Sequence, residues 1–208
     1  MKGLFFTFEG PEGSGKSTHI TLLYNYLKDR GFKVIKVREP GDTRIGEKIR
    51  RILLDADNQE IFPLTETLLY MACRHQLVKE KITPYLKKGY IVLCDRFLDS
   101  TFAYQGFGLG VDLNLIKSLA KYVCQDLSPD LTILLDIPVK SGLRHIKRKY
   151  DRIESRKLPF HRRLRKGYLK LAKLYPERIK IIRVEKDPIC TQDKIRETVC
   201  KKICLLKK

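Results

Sequence analysis

A glycine-rich octapeptide restricts the possible folds of this chain more than any other feature. Residues 10–17 match the pattern G-x-x-x-x-G-K-[ST] at all four fixed positions. The apolar run 4–9 precedes this loop, and apolar residues at helical spacing follow it over 16–30. A strand, a glycine-rich loop and a helix in this order are typical of a nucleoside triphosphate site. The predicted site comprises Gly10, Pro11, Glu12, Gly13, Ser14, Gly15, Lys16 and Ser17.

The residue types of the loop suit phosphate binding. Glycines allow backbone conformations that turn consecutive N–H groups toward one centre, and the N-terminus of the following helix adds positive potential. The ammonium of Lys16 can reach the β- and γ-phosphates of ATP. The hydroxyl of Ser17 can bind Mg²⁺, the cofactor that we expect to accompany ATP.

Short apolar runs alternate with longer amphipathic stretches along the whole chain. The runs predict five strands at 4–9, 33–38, 90–95, 131–137 and 179–184. The stretches predict helices at 16–30, 45–54, 64–88, 97–105, 113–124, 140–149, 159–174 and 191–205. Pro84 is expected to kink or split the helix over 64–88. Strands joined by helical crossovers form a mostly parallel sheet with helices on both faces. We therefore predict an α/β fold, and 208 residues without a linker predict one domain over 1–208.

Charge and cysteine content narrow the range of partners. Lys and Arg number 43 against 24 Asp and Glu, a net charge of +19 that favours anionic partners such as nucleotides, nucleic acid or acidic membrane. No apolar run approaches the roughly 18 residues of a membrane span, and Glu9 interrupts the apolar run at the start. The six cysteines have no zinc-site spacing. We expect a cytoplasmic protein with reduced thiols, no membrane association and no specific nucleic acid.

The remaining motifs favour a small phosphotransferase. The Asn-Lys-x-Asp sequence that a GTPase needs is absent, and the chain is too short for a large ATPase. Asp95 and Arg96 directly follow the third predicted strand, where the carboxylate can hold Mg²⁺ with Ser17 and the guanidinium can clamp a phosphate. Asp136 ends the fourth strand in a rival position. Because Pro138 follows closely, we assign Asp136 a structural role in a turn.

A longer series of motifs resembles the bacterial thymidylate kinases. The series runs in family order from residue 4 to about 175 and is more specific than the phosphate loop. Its parts are Phe8-Glu9-Gly10, Arg38-Glu39-Pro40-Gly41, Ala72-Cys73-Arg74-x-Gln76, Asp95-Arg96-Phe97, Ser100-Thr101-x-Ala103-Tyr104-Gln105-Gly106, Pro129-Asp130-Leu131-Thr132 and Asp151-Arg152-Ile153-Glu154.

The resemblance implies a P-loop kinase fold and transfer of the γ-phosphate of Mg-ATP to dTMP, giving dTDP and ADP in dTTP synthesis. It also implies a homodimer through the long helices. By position, Glu12 matches an acid that contacts the sugar 3′-hydroxyl, and Arg38 and Arg96 match arginines that hold the acceptor phosphate. The residues that match the base-binding positions are Tyr70 (where many members have Phe), Arg74, Thr101 and Gln105.

An arginine-rich segment at 147–158 is predicted to form a mobile lid. The variable positions of the phosphate loop contain no arginine, so the charge that stabilises the transferred phosphate must come from elsewhere. Similar family members supply it from this lid. Arg152 and Arg156 are four residues apart and would face the same way on a helical turn, and Arg152 is the preferred candidate. The predicted catalytic residues are Lys16, Arg96, Arg148, Arg152 and Arg156.

Two alternatives stay open, and one residue departs from the family pattern. The chain could phosphorylate another nucleoside monophosphate, or it could be a basic phosphate-loop ATPase that binds nucleic acid, although no helix-turn-helix is visible.

Asp42 stands where the family commonly has a glycine, and a carboxylate facing the acceptor phosphate would repel that phosphate.

Overall fold

The five predicted strands form one parallel sheet in a computed structural model that describes residues 3–206. The strand order is β2-β3-β1-β4-β5, and every neighbouring pair is parallel. The bounds are β1 Leu4–Glu9, β2 Val34–Arg38, β3 Ile91–Asp95, β4 Leu131–Asp136 and β5 Ile179–Arg183. The predicted α/β architecture is therefore confirmed. The single-domain prediction over 1–208 includes two residues at each end that lie outside the described residues.

Helices connect the strands and cover both faces of the sheet. They are α1 Lys16–Asp29, α2 Arg44–Leu54, α3 Pro63–Leu77, α4 Thr83–Lys87, α5 Leu98–Thr101, α6 Leu113–Cys124, α7 Val139–His145, α8 Leu158–Leu174 and α9 Pro188–Leu206. Alternate residues of a strand point to opposite faces. Accordingly Phe6 and Phe8 pack with α1 and α9, whereas Phe5 packs with the end of α3. Within residues 3–206 no helix is both long and apolar enough to cross a bilayer.

Three predicted helices differ from those in the structure. The helix predicted over 64–88 is divided into α3, a π-helical turn at Val78–Ile82, and α4. Pro84 lacks an N–H donor, and the preceding N–H of Thr83 bonds to the carbonyl of Val78 five residues back. A second π-helical segment, Phe102–Gly108, follows α5 within the region predicted as one helix. The helix predicted to reach residue 149 ends at His145, where Ile146 turns extended.

The strand register brings Asp95, at the end of β3, to the phosphate loop. Phe8 in β1 lies opposite Asp95 in β3, so the carboxyl ends of these strands are adjacent. Ligands of open parallel sheets bind beyond the carboxyl ends of the strands.

The structural role predicted for Asp136, at the end of β4, agrees with its contacts. Arg165 donates to both of its carboxylate oxygens at 2.7 and 2.8 Å.

The phosphate loop rests directly on the backbone of α7. A Cβ atom on Gly142 would lie 2.3 Å from the carbonyl oxygen of Glu12, and one on Gly13 would lie 1.9 Å from the carbonyl oxygen of Gly142. Gly13 also has a φ of +68°, which favours glycine. The two glycines therefore set how closely the loop approaches α7.

We expect Gly142→Ala to destabilise the protein, because the added methyl must displace the loop backbone. Overpacking of this kind costs about 1–3 kcal/mol, part of which the better helix propensity of alanine offsets. Urea unfolding would measure the loss, with Lys140→Ala on the exposed side of the same helix as the control. Equal stabilities of the two variants would contradict the close contact.

Candidate active site

The phosphate loop holds its lysine against its own carbonyl groups. Lys16 is buried, and its Nζ donates to the carbonyl oxygens of Gly10 at 3.1 Å and Pro11 at 2.9 Å. Burial, together with the charge of Arg96, lowers the pKa of Lys16 to about 8 despite the nearby carboxylate of Glu12. Because carbonyls compensate a cation only weakly, the loop favours an anion in contact with this ammonium.

Ser17 and Asp95 provide adjacent oxygen donors. The hydroxyl of Ser17 donates to Oδ2 of Asp95 at 2.7 Å. Mg²⁺ prefers such hard oxygen ligands and usually takes only one or two from protein, the rest coming from phosphates and water. Across residues 3–206 there is no cluster of three or more His, Cys, Asp or Glu that could hold a metal alone. The pair fits a magnesium ion that arrives with phosphates.

Arg96 joins the phosphate loop to the end of β3. Its NH2 donates to both carboxylate oxygens of Glu12 at 3.0 Å, and its NH1 donates to the carbonyl of Gly10 at 3.0 Å. The hydroxyl of Tyr104 also donates to Glu12. Burial alone would raise the pKa of Glu12, but the charges of Arg96 and Lys16 outweigh it and lower the pKa to about 2. Glu12 is therefore ionised at neutral pH.

A cavity of about 570 Å³ opens between the phosphate loop, the end of β3, α3 and the lid. Its size suits a small-molecule ligand. The predicted site residues that line it are Glu12, Gly13, Gly15, Lys16, Ser17, Arg38, Tyr70, Asp95, Arg96, Thr101, Gln105 and Arg148. The predicted site residues that do not line it are Gly10, Pro11, Ser14, Arg74, Arg152 and Arg156. The structure thus brings the phosphate loop, predicted to bind ATP, and the residues predicted to bind dTMP to one cavity.

Arg74 is buried behind the cavity. Its Nε and NH2 donate to the carboxylate of Glu39, the shortest contact being 2.6 Å, and its NH1 donates to the hydroxyl of Thr101 at 2.8 Å. The carboxylate of Glu39 outweighs burial and raises the pKa of Arg74. In this arrangement Arg74 holds Thr101, which lines the cavity, and does not itself form the wall.

The lid arginines face two directions. Arg148 lines the cavity, and its guanidinium bonds to both oxygens of Glu154 at 2.7 Å. Arg152 and Arg156 instead donate to Oε2 of Glu66 at 2.7 and 2.5 Å. Arg152 and Arg156 therefore point the same way, as their separation of four residues predicted. The expectation that Arg152 faces the phosphates is not met here, because its side chain is only 2% exposed and is held by this buried carboxylate.

Sequence reasoning missed two charged residues of the site. Arg50 in α2 lines the cavity, and it donates to the carbonyl of Pro40, as Arg38 also does, at 2.8 and 3.1 Å. Glu66 was missed because its partners are 86 and 90 residues away in sequence. The only available signal was its position one helical turn before Tyr70.

Asp42 does not line the cavity. Its φ of +67° lies in the left-handed region, which explains why a glycine is common at this position and why aspartate is tolerated. Its carboxylate lies 3.6 Å from the ammonium of Lys81, and its backbone N–H donates to Glu47 at 2.6 Å. The predicted repulsion of the acceptor therefore does not arise from this placement.

Comparisons with known proteins agree with this geometry. The family model described as thymidylate kinase matches residues 8–195. A thymidylate kinase of Exiguobacterium sp. is 47% identical over 197 residues, 94% of this chain and 93% of the relative. One of Pelobacter propionicus is 50% identical over 184 residues, 85% of this chain and 84% of the relative.

A solved structure gives the same result. The crystal structure of thymidylate kinase from Ehrlichia chaffeensis superimposes with a TM-score of 0.81 at 32% identity, covering 96% of this chain and 100% of that one. Since the family model covers most of the chain and the relatives match over nearly their full length, the chain belongs to the thymidylate kinase family.

Proposed function

We propose that this protein transfers the γ-phosphate of ATP to the phosphate of dTMP, with Mg²⁺ bound between Ser17 and Asp95. The observation that carries this proposal is the shared cavity, which is lined both by Lys16 and Ser17 of the phosphate loop and by Tyr70, Thr101 and Gln105. Two nucleotides placed in it would meet with their phosphates together. We also propose that residues 1–208 form a single domain.

On the donor side, backbone N–H groups of the loop and the ammonium of Lys16 bind the triphosphate. Mg²⁺, when bound, would neutralise charge on the phosphates. The Oγ of Ser17 and a carboxylate oxygen of Asp95 would hold it directly or through water.

On the acceptor side, three cationic residues line the cavity around the expected position of the dTMP phosphate: Arg38, Arg50 and Arg96. The ring of Tyr70 would stack on the base, and the polar groups of Thr101 and Gln105 would contact its edge. Glu12 holds Arg96 in place and can accept a hydrogen bond from the sugar hydroxyl.

Transfer requires little proton chemistry, because the acceptor is already an anionic phosphate oxygen. That oxygen forms a bond to the γ-phosphorus while the bond to the bridging oxygen of ADP breaks, giving dTDP. Catalysis then depends on alignment and on charge around the transferred group. Lys16, Arg96 and the lid residue Arg148 supply that charge. Arg152 and Arg156 do not reach the cavity; they hold the lid in position through Glu66.

We also propose a homodimer through α3 and α6. These helices pack against each other, and they carry or adjoin strongly exposed apolar side chains. Examples are Phe62 at 76%, Leu68 at 46% and Tyr122 at 80% exposure. Exposed apolar side chains on a pair of packed helices favour contact with a second copy of the chain.

Initial-rate assays with ATP-Mg²⁺ and each nucleoside monophosphate test the proposed reaction. We expect kcat/KM to be highest for dTMP, because the chain belongs to the thymidylate kinase family. A higher value for GMP, AMP or UMP would contradict the thymidylate assignment. ATP hydrolysis that depends on added DNA and is indifferent to dTMP would instead support the nucleic-acid alternative.

The lowered pKa of Lys16 predicts proton uptake when ATP binds. At pH 8.5 the free lysine, with a pKa of about 8, is mostly neutral. The triphosphate favours its charged form and raises the pKa, so binding takes up protons at pH 8.5 and almost none through this residue at pH 6.5. Calorimetry in two buffers of different ionisation enthalpy would measure the uptake. Lys16→Arg is the control, because arginine stays charged; equal uptake in both proteins would contradict the prediction.

Arg148→Ala should lower kcat sharply and change the KM for dTMP little, since Arg148 is the lid arginine that faces the cavity. An arginine that contacts the transferred group is worth roughly 10³-fold or more in rate. Lys149→Ala removes a neighbouring exposed charge of the same segment and should leave kcat near the wild-type value. A normal kcat for the Arg148 variant would remove that residue from the mechanism.

A further inference from the structure

Glu66 is a fully buried carboxylate that the proposed reaction does not use. It lies on α3 one turn before Tyr70 and has no exposed side-chain surface. Its Oε1 accepts from Nε2 of Gln105 at 2.8 Å, and its Oε2 accepts from Arg152 and Arg156. One carboxylate thus connects α3, the π-helical segment after α5, and the lid.

This bond orients the amide of Gln105. A carboxylate only accepts hydrogen bonds, so Gln105 must present its N–H₂ to Glu66 and its carbonyl oxygen on the other side. Gln105 lines the cavity, whereas Glu66 does not. A carbonyl oxygen facing the base suits a ring N–H, which thymine and uracil carry at N3, and disfavours cytosine, whose N3 is itself an acceptor.

The same carboxylate fastens the lid. Arg152 also donates through Nε to the carbonyl of Leu53 at 2.7 Å, so it connects the lid to the end of α2 as well. Arg156 is held less completely, because its NH1 is buried without a partner among the described residues. Loss of the charge of Glu66 would leave two guanidinium groups without their counter-ion, which favours their return to water.

We propose that Glu66 is a positioning residue that selects the acceptor base through Gln105 and holds the lid closed through Arg152 and Arg156. The proposal rests on the proposed function, since it concerns the acceptor site of that reaction. It separates two effects: base selectivity depends on the bond to Gln105, and lid closure depends on the arginine contacts.

The isosteric variant Glu66→Gln tests both effects. An amide can donate as well as accept, so Gln105 is no longer forced into one orientation. We expect the ratio of kcat/KM for dTMP to that for dCMP to fall by about tenfold or more. We also expect trypsin to cut the lid, which contains six Lys and Arg residues over 147–158, faster than in the wild type.

The matched control is Asp136→Asn, which weakens another carboxylate that an arginine contacts through both oxygens and that does not line the cavity. It should leave the base ratio and the lid cleavage rate unchanged. Arg152→Met keeps the bond to Gln105 and should speed lid cleavage while preserving the base ratio. Arg152→Met also tests the lid contact if Glu66→Gln fails to fold.

An unchanged base ratio in Glu66→Gln, an equal fall in Asp136→Asn, or an unchanged lid cleavage rate in Arg152→Met would overturn the assignment. Failure of the proposed function gives a different result, because the wild-type protein itself would then not phosphorylate dTMP.

Discussion

The ion pair between Arg96 and Glu12 is the interaction on which the arrangement of the site depends. It joins the phosphate loop after β1 to the end of β3, two segments that are 84 residues apart in sequence. Arg96 has a φ of +69°, a conformation that costs a non-glycine residue about 1–2 kcal/mol. The contacts of its guanidinium with Glu12 and Gly10, and of its backbone N–H with Phe8, hold it there. The guanidinium of Arg96 is thus fixed relative to the phosphate loop.

Local sequence patterns predicted the framework well because the constraints involved are local. The phosphate loop, the apolar strands and the motif that begins with Asp95 each depend on a few consecutive residues, and parallel crossovers bring their ends together. A break in the helix over 64–88 was predictable from Pro84, but its form was not. A π-helical turn arises where Pro84 removes a backbone donor, and both a kink and a wider turn satisfy that constraint.

The side chains around the site were harder to predict because their roles depend on long-range partners. The spacing of Arg152 and Arg156 correctly gave a common direction, but it could not identify Glu66 as the group that they contact. Arg74 is another example: its position in a motif indicated the base pocket, whereas Glu39 and Thr101 occupy its donors. A charged side chain in a motif can therefore bind the ligand directly, or it can hold in place another residue that contacts the ligand.

The distribution of charge explains how a strongly basic chain keeps a specific anion site. Most site arginines are paired with carboxylates: Arg38 with Glu47, Arg96 with Glu12, and Arg148 with Glu154. Lys16 and Arg50 differ, because their hydrogen bonds go to backbone carbonyls and a neighbouring hydroxyl. Burial lowers the pKa of both groups, and the charge of a nearby arginine adds to the effect. In the proposed reaction, the triphosphate at Lys16 and the acceptor phosphate at Arg50 would relieve that cost. The net charge of +19 can attract many anions, but only an anion pair that reaches both positions gains the full stabilisation.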